Sequence, residues 1–371
     1  MNAVPAWSDA MIAAQLFAVD PVGTGGVLLR SRAGPVRERW LALLRAALPS
    51  PQPSKHLPLH IADGRLLGGL DLNATLLAGR PVAERGLLAE ADRGVLVLAM
   101  AERLSSATAV HITSAIDAGE IVVERDGVSL RMPARFGVVA LDEGLDDELA
   151  PAPLRDRLAF HVDLNEIAFG ETEPSTPDRE AILAAREHLP SLRSSAEQID
   201  AICAAAGALG IVSLRAPLLA LRVARAGAAL SGHVEVEQAD VALAARLVLA
   251  PRAMVFPQPN EAEQPQQPPE PPSDESDDGT DAEKPDIDRA LDEVILAAVQ
   301  AALPPDVLAS LRAPGRSRAP SQGKAGAPQK SNKRGRPAGV LRGDLRCGAR
   351  LNVIETLRAA AAWQPLRRRE A

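Results

Sequence analysis

The sequence predicts an α/β fold: a largely parallel sheet with flanking helices, followed by an all-α domain. Short β-rich runs alternate with helical patterns up to about residue 170, and this alternation is typical of a parallel sheet covered by helices. Residues 177–252 have a helical pattern throughout, dominated by Ala, Leu and Arg. Aromatic residues make up only 2% of the chain, so we expect cores built from aliphatic side chains.

Six β-rich runs mark the predicted strands. They are residues 26–29, 57–61, 95–98, 110–113, 136–141 and 160–164. Asp126 and Gly127 form a favourable hairpin-turn dipeptide within VVERDGVSLRMPARF. The last predicted helix opens at residues 237–240 and ends at Pro251.

Composition divides the chain into six predicted segments. They are an αβα core (1–170), a helical domain (171–254), an acidic Pro-rich linker (255–286), a helical segment (287–312), a basic Gly/Pro-rich linker (313–349) and the start of a truncated C-terminal domain (350–371). The two linkers are poor in apolar residues, which predicts that both are disordered.

Charge, cysteines and apolar runs narrow the class of protein. The net charge is −7, and Cys203 and Cys347 are far apart with no metal-ligand spacing, as expected in a reducing cytoplasm. No apolar run approaches the roughly 20 residues that span a membrane, and no secretory signal opens the chain. The six histidines show no ligand-like spacing. We expect a cytoplasmic protein with no membrane span and no metal site.

A phosphate-binding loop is expected after the first strand, but the residues there are unsuited to that task. Such a loop reads G-x-x-x-x-G-K-[ST] between a buried strand and a helix. The matching stretch is SRAGPVRE, which keeps Gly34 but has Arg37 in place of Lys and Glu38 in place of Ser/Thr. Arg37 could still contact phosphate, whereas an ordinary turn before a helix explains the same residues equally well. The GTGG stretch at residues 23–26 precedes the strand and is not this loop.

The second nucleotide motif is also missing. Two acidic residues should follow a buried strand, to hold Mg²⁺ and to polarise water, but the strand at residues 95–98 is followed by Ala99 and Met100. Neither side chain can bind a hard cation or act as a base. The two losses together predict that this domain does not hydrolyse nucleotide.

The order of these motifs resembles the AAA+ core of magnesium chelatase. The stretches that carry the likeness are DPVGTGGVLL, GLLAEADRGVLVLAM, VVERDGVSLRMPARFGVVAL, ELAPAPLRDRLAFHVDL and LRAPLLALRVARAGAALSGHVEVEQADVALAARLVLAPR. The likeness covers residues 15–254, and the last stretch resembles the family's helical lid. The degenerate nucleotide motifs and the acidic linker resemble the family's D subunit. The D-x-S-x-S metal site of that subunit's C-terminal integrin-I domain is absent, which implies a D subunit that ends before this domain.

The resemblance implies an activity and partners. Magnesium chelatase inserts Mg²⁺ into protoporphyrin IX in an ATP-driven reaction, the first committed step of (bacterio)chlorophyll biosynthesis. This chain would be a non-hydrolysing platform in an oligomeric ring with the ATPase I subunit, while the separate H subunit carries the porphyrin. ATP would bind weakly or not at all in this chain's own site, and Mg²⁺ would be a substrate of the complex.

The resemblance also implies roles for two arginines. Arg157 matches the family's arginine finger and is the candidate catalytic residue, acting in trans on nucleotide held by a neighbouring subunit, with Asp156 able to orient it. Arg215 falls at the second sensor arginine and, with Gly34 and Arg37, makes up the predicted degenerate nucleotide site. A surface ion pair for Arg157 and a solvated helix charge for Arg215 are the alternatives.

Two other functions stay open from the residues alone. The R-G-R-P stretch at residues 334–337 is typical of arginines that enter a narrow DNA minor groove. An acidic segment of comparable size precedes it, however, which favours association between opposite charges over nucleic-acid binding. A MoxR-type AAA+ chaperone shares the fold but normally keeps both nucleotide motifs. The main prediction is a chelatase subunit that binds no nucleic acid.

Overall fold

The computed structural model describes residues 5–49, 52–78, 82–125, 128–145, 148–255, 295–297 and 299. The strands are β1 (Gly26–Arg30), β2 (Ser54–Leu57), β3 (Gly68–Leu70), β4 (Ala83–Arg85), β5 (Val95–Leu98), β6 (Glu120–Arg125), β7 (Val128–Pro133), β8 (Gly137–Asp142) and β9 (Phe160–Asp163). Five of them form one sheet in the order β2-β5-β8-β1-β9, and every neighbouring pair is parallel. The predicted parallel sheet is confirmed.

Helices cover both faces of this sheet and continue beyond it. They are α1 (Pro5–Val19), α2 (Pro35–Ala47), α3 (Asp63–Leu67), α4 (Leu72–Ala78), α5 (Leu87–Glu90), α6 (Ser106–Ala118), α7 (Ala152–Arg157), α8 (Arg179–His188), α9 (Ala196–Ala208), α10 (Arg215–Ser231) and α11 (Gln238–Ala244).

The central strands are apolar on both faces because each face meets a separate core. Val27 and Leu29 of β1 pack into the core that contains α1 and α2. Leu28, between them, packs into the core that contains α6. This two-sided burial explains why β1 and β8 read as continuous apolar runs rather than as alternating patterns.

Residues 110–113 are a helix, so the prediction of a strand there is wrong. They lie in the middle of α6, whose N-terminus is capped by Ser105, which accepts a hydrogen bond from the Thr108 backbone N–H at 3.1 Å. Gly119 ends the helix with φ +69°. The β-branched residues misled the prediction, because the helical spacing of Ala109, Ile112 and Ala115 decides which face is buried.

The strand predicted at residues 57–61 is also misplaced. β2 ends at Leu57, and its pairing with β5 runs from Ser54 to Leu57. Pro58 follows immediately, and a proline has no N–H group to continue the ladder. The true strand, SKHL, is mostly polar because β2 lies at an edge of the sheet.

Two antiparallel strand pairs project from the core. β6 pairs with β7 along their whole lengths, which confirms the predicted hairpin, although its Asp126-Gly127 turn lies outside the described residues. β3 pairs with β4 on either side of α4.

From the start of α8 the elements are helical up to residue 252, as the pattern of residues 177–252 predicts. α10 is the central helix of this region and packs against α8, α9 and α11. A π-helical turn, Ala245–Leu249, and a 3₁₀ turn, Ala250–Arg252, continue α11. The guanidinium of Arg252 donates to the carbonyl oxygens of Leu158 and Ala159, and these bonds hold the end of this region against the start of β9.

Val255 is the one described residue of the predicted linker 255–286. The rest of that linker, the predicted linker 313–349 and the predicted segment 350–371 lie outside the described residues. Within 287–312 only 295–297 and 299 are described; they are helical, and Ile295 and Val299 are buried. No helix in the described part of the chain is long and apolar enough to cross a membrane. The cytoplasmic location stays a prediction.

Candidate functional site

The turn after β1 lies at the carboxyl edge of the sheet, where open parallel sheets bind their ligands. Residues 31–34 join β1 to α2, and α2 begins at Pro35. Gly34 precedes the helix with φ 171°, which is ordinary extended backbone. Pro35 has no N–H group, so the turn presents fewer backbone donors than a phosphate site at a helix N-terminus normally has.

Arg37 lies in the first turn of α2 and already has a carboxylate partner. Its Nη1 donates to Oε1 of Glu143 at 2.5 Å, and its side chain is only 11% exposed. Glu143 follows β8, and its backbone N–H donates to Oε2 of Glu102 at 3.1 Å. The cation at the position of the missing lysine is therefore neutralised within the chain.

The segment after β5 provides no ligand for a hard cation. Ala99 and Met100 form the turn at the strand end, and Met100 is left-handed with φ 51°. The Glu102 side chain is 1% exposed, and this burial raises its pKa above the usual range. In the described ranges, no group of three or more His, Cys, Asp or Glu side chains could hold a metal ion. The described residues that replace the two nucleotide motifs do not supply the ligands that Mg²⁺ bound to ATP would need.

A second cluster of charges lies at the opposite, amino edge of the sheet. Arg157 ends α7 shortly before β9, Asp117 is in the last turn of α6, and Arg215 begins α10. Arg157 donates from Nε and Nη2 to Oδ1 and Oδ2 of Asp117 at 3.0 and 2.5 Å. Arg215 donates from Nη1 and Nη2 to the same two oxygens at 3.0 and 3.2 Å. One carboxylate thus holds two guanidinium groups, Arg157 and Arg215, which we name the arginine pair.

The electrostatics of this cluster follow from its contacts. The hydrogen bond from Arg157, with the charges of both arginines, holds the pKa of Asp117 below its usual range. Nε of Arg215 also lies 3.4 Å from Oδ2 of Asp156, whose Oδ1 accepts a hydrogen bond from Ser213 at 2.5 Å. Asp117 therefore contacts both guanidinium groups, and Asp156, which the sequence predicts to orient Arg157, contacts Arg215 instead.

A cleft of about 150 Å³ opens beside the arginine pair. The GTGG stretch contributes Gly23 and Gly25 to its wall, and α10 contributes Arg222, which donates to the carbonyl oxygen of Gly23 at 2.9 Å. Gly25 has φ +72°, and a Cβ atom there would lie 2.1 Å from the carbonyl oxygen of Arg157. Only glycine allows this loop to pack directly against Arg157.

Exposed apolar side chains border the same cluster. Val22 and Leu218 line the cleft, and their exposed fractions are 44% and 56%. Val110, 57% exposed, lines a neighbouring depression with Asp117 and Arg157. Apolar surface around a charged centre is typical of a face that contacts another protein.

Comparison with known proteins gives the family. Residues 199–274 match the family model described as the AAA lid domain. The magnesium-chelatase 60 kDa subunit of Cereibacter sphaeroides is 42% identical over 368 residues, covering 98% of this chain and 62% of that protein. The magnesium-chelatase 38 kDa subunit of Rhodobacter capsulatus is 30% identical over 305 residues, covering 68% of this chain and 87% of that protein. The chain belongs to the magnesium-chelatase subunit family.

Membership of the magnesium-chelatase family confirms the resemblance and the AAA+ fold. It supports the prediction of a chelatase subunit over the chaperone and DNA-binding alternatives. The 67 kDa subunit of Chlorobaculum parvum, 33% identical over 395 residues, is matched over 96% of this chain and 62% of its own length. The chain thus spans about 62% of the length of the 60 and 67 kDa relatives. The predicted lid, 171–254, overlaps the matched residues 199–274, but the segment boundaries stay predictions.

The structure brings some of the predicted site residues together and separates others. Arg157 and Arg215 share one carboxylate, whereas Gly34 and Arg37 lie at the other edge of the sheet. The sequence predicts Arg215 in one site with Gly34 and Arg37, but Arg215 lies against α6 and α7 instead. It is the first residue of α10, whose N-terminus faces the amino edge of the sheet.

Sequence reasoning missed Asp117, Arg222 and Glu143. Asp117 carried a usable signal, since an acid in the last turn of a helix opposes the helix dipole and calls for a cationic partner. Glu143 and Arg222 carried none, because their partners come from elements far away in the chain.

Proposed function

We propose that this chain is a D-subunit-type AAA+ component of magnesium chelatase that does not hydrolyse nucleotide. It supports ATP-driven insertion of Mg²⁺ into protoporphyrin IX, for (bacterio)chlorophyll biosynthesis, by joining a ring with the I subunit. The H subunit presents the porphyrin to this ring. The observation that carries the proposal is the contrast between the two sheet edges. The carboxyl edge has Ala99 and Met100 where the Mg²⁺ ligands should be, whereas the amino edge holds the arginine pair beside a cleft.

The closed edge supports a role without hydrolysis. Arg37, the one cation at the position of the missing lysine, is paired with Glu143, and no second arginine shares that carboxylate among the described contacts. Ala99 and Met100 supply neither a Mg²⁺ ligand nor a base. ATP that drives the complex would therefore be bound and hydrolysed by the I subunit.

The amino edge supports a role in trans. The arginine pair lies across the sheet from this chain's own degenerate loop, so it faces away from any nucleotide bound there. Guanidinium groups bind phosphate oxygens through planar, bidentate hydrogen bonds, and an arginine supplied by a neighbour stabilises the charge that develops during phosphoryl transfer. Arg157 is the finger in this arrangement, and Arg215 acts beside it on the same phosphate.

Co-purification with a 38 kDa-type I subunit tests the proposal. We expect a complex that forms with ATP and is weaker without it, because the arginine pair then has no phosphate to meet. A variant with both Arg157→Ala and Arg215→Ala should lose this dependence on ATP. Arg131→Ala, which removes a 71% exposed arginine of β7, is the matched control and should behave as the unmutated chain does. A folded chain that binds no I subunit under either condition would rule the proposal out.

A further inference from the structure

The carboxylate of Asp117 occupies the arginine pair as a phosphate group would. Both guanidinium groups address the same two oxygens, through four hydrogen bonds of 2.5 to 3.2 Å. Carboxylate and phosphate both match the planar fork of arginine. An incoming phosphate therefore needs the donors that Asp117 already uses.

The charges around the cleft favour a dianion over a single carboxylate. Arg157, Arg215 and Arg222 line the cleft with three positive charges, and Asp117 lines it with one negative charge. The lining is therefore net positive with Asp117 in place, while Asp156 contacts Arg215 and Asp20 contacts Gly23. A terminal phosphate carries more charge than a carboxylate, so it competes well for the two forks.

The position of Asp117 also allows its carboxylate to move away from the arginine pair. It sits in the last turn of α6, where the partial negative charge of the helix end disfavours a carboxylate. Its side chain is 35% exposed, and that of Arg215 is 43% exposed. The Arg157 side chain is 16% exposed, so the carboxylate leaves when another anion takes over both guanidinium groups. The Arg215 half of the contact is open to water and contributes little stability.

We propose that Asp117 is an internal competitor, whose carboxylate occupies the arginine pair in the free chain and yields it to a polyphosphate group of a neighbouring subunit's nucleotide. The identity of that ligand rests on the proposed function. When the neighbouring subunit holds no nucleotide, the Asp117 carboxylate stays on the arginine pair. When the neighbour holds nucleotide, its phosphate displaces that carboxylate. The competition between the two anions makes docking depend on nucleotide.

The test uses the full chain and inorganic tripolyphosphate as the probe, titrated by calorimetry at low salt. Asp117→Asn removes the charge and keeps the shape, so we expect roughly fivefold tighter binding than in the unmutated chain. Asp200→Asn, at an exposed position of α9, is the matched control and should leave the affinity unchanged. The double variant Asp117→Asn with Arg157→Gln should not show this tighter binding. That result would assign the tighter binding to the arginine pair rather than to other surface arginines.

Unchanged or weaker binding by Asp117→Asn would overturn the competitor role. Asp117→Ser serves as a second replacement if the Asn variant does not fold, and it should show the same gain. The titration contains no partner subunit, so its outcome is separate from that of the proposed function. If Asp117→Asn binds tripolyphosphate more tightly but the chain never binds the I subunit, the competitor role is supported and the I subunit is ruled out as the partner.

Discussion

Arg37 donates to Glu143 across a distance of 2.5 Å, and this ion pair closes the edge of the sheet at which a nucleotide would bind. Glu143 is fixed in turn, because its backbone N–H donates to the buried Glu102 carboxylate. Burial raises the pKa of Glu102 above its usual range, and its carboxylate also lies 3.5 Å from Nε of Arg103. Among the described residues, the arginine that stands in place of the missing lysine is thus held in an internal ion pair.

The first prediction is that the isolated chain has no ATPase activity above background. Glu143→Gln weakens the pairing of Arg37 but should not restore turnover, because Ala99 and Met100 still provide neither a Mg²⁺ ligand nor a base. A steady-state phosphate-release assay measures both forms. Turnover that disappears in Arg37→Ala would show that the site is active after all.

The second prediction concerns Gly25, which fixes the loop against Arg157. Gly25→Ala should destabilise the fold by roughly 2–4 kcal/mol, because the residue has φ +72° and the new Cβ would meet a carbonyl oxygen at 2.1 Å. Gly207→Ala, in α9 with nothing within 4 Å of the new atom, is the control and should stabilise by up to about 1 kcal/mol. Urea unfolding measures both. Equal stability of the two variants would contradict the tight contact with Arg157.

The third prediction is a loss of stability in acid that comes from His161. Its Nε2 lies 2.9 Å from the Arg155 carbonyl oxygen and 3.1 Å from Nη2 of Arg252. Burial, with the charge of Arg252, lowers the pKa of His161 to about 3. The unfolded chain takes up this proton near pH 6.5 and the folded chain does not, so stability is full above pH 6.5 and falls as the pH drops towards 3.

Unfolding free energies at pH 7.5 and pH 5 measure this effect. The contribution of His161 should fall by roughly 2 kcal/mol between them, and His161→Gln should remove that part of the pH dependence. His233 works in the opposite direction, because its hydrogen bond to Asp240 raises its pKa. Comparison of the two pH values in His161→Gln therefore separates the two histidines. An identical pH profile in this variant would show that His161 takes up its proton in the folded chain.

The fold was predictable where local pattern and tertiary packing agree. β1 and β8 are apolar on both faces, so a parallel sheet followed from the sequence, and the Ala-rich pattern of α10 predicted a helical region. The prediction of a strand at residues 110–113 is wrong because it rests on β-branched residues. The caps at Ser105 and Gly119, which bound α6, indicate a helix. The two caps indicate the helix more reliably than the β-branched residues indicate a strand.

The candidate site was predictable only in part, because it is assembled from distant elements. The missing Lys and the missing acids are visible in the sequence, so the prediction that this chain does not hydrolyse nucleotide could be made from the sequence alone. That Arg157 and Arg215 share Asp117 depends on how α6, α7 and α10 pack. No spacing of residues in the sequence predicts that both arginines contact Asp117.

The last prediction concerns Arg157 in the assembled complex. Arg157→Ala should cost the isolated chain about 1 kcal/mol or less, because it removes a partly exposed ion pair and one bond to the Pro153 carbonyl oxygen. It should nonetheless lower the ATPase and Mg²⁺-insertion rates of the complex by roughly tenfold or more, since an arginine that meets phosphate in trans contributes strongly to turnover. Arg157→Lys should rescue poorly, because a point charge cannot reproduce the planar fork. Steady-state rates of the reconstituted complex measure all three forms.

Arg131→Ala is the control for the loss of one positive charge and should leave both rates unchanged. Binding to the I subunit must be measured beside the rates, so that loss of assembly is told apart from loss of the phosphate contact. Because Asp117 also holds Arg215, some ATP-dependent binding should survive in Arg157→Ala through the second guanidinium. If Arg157→Ala assembles and supports Mg²⁺ insertion at the unmutated rate, Arg157 is a surface ion pair with Asp117. In that case Arg215 would be the arginine that meets the neighbour's phosphate, and Arg215→Ala should then carry the loss of rate.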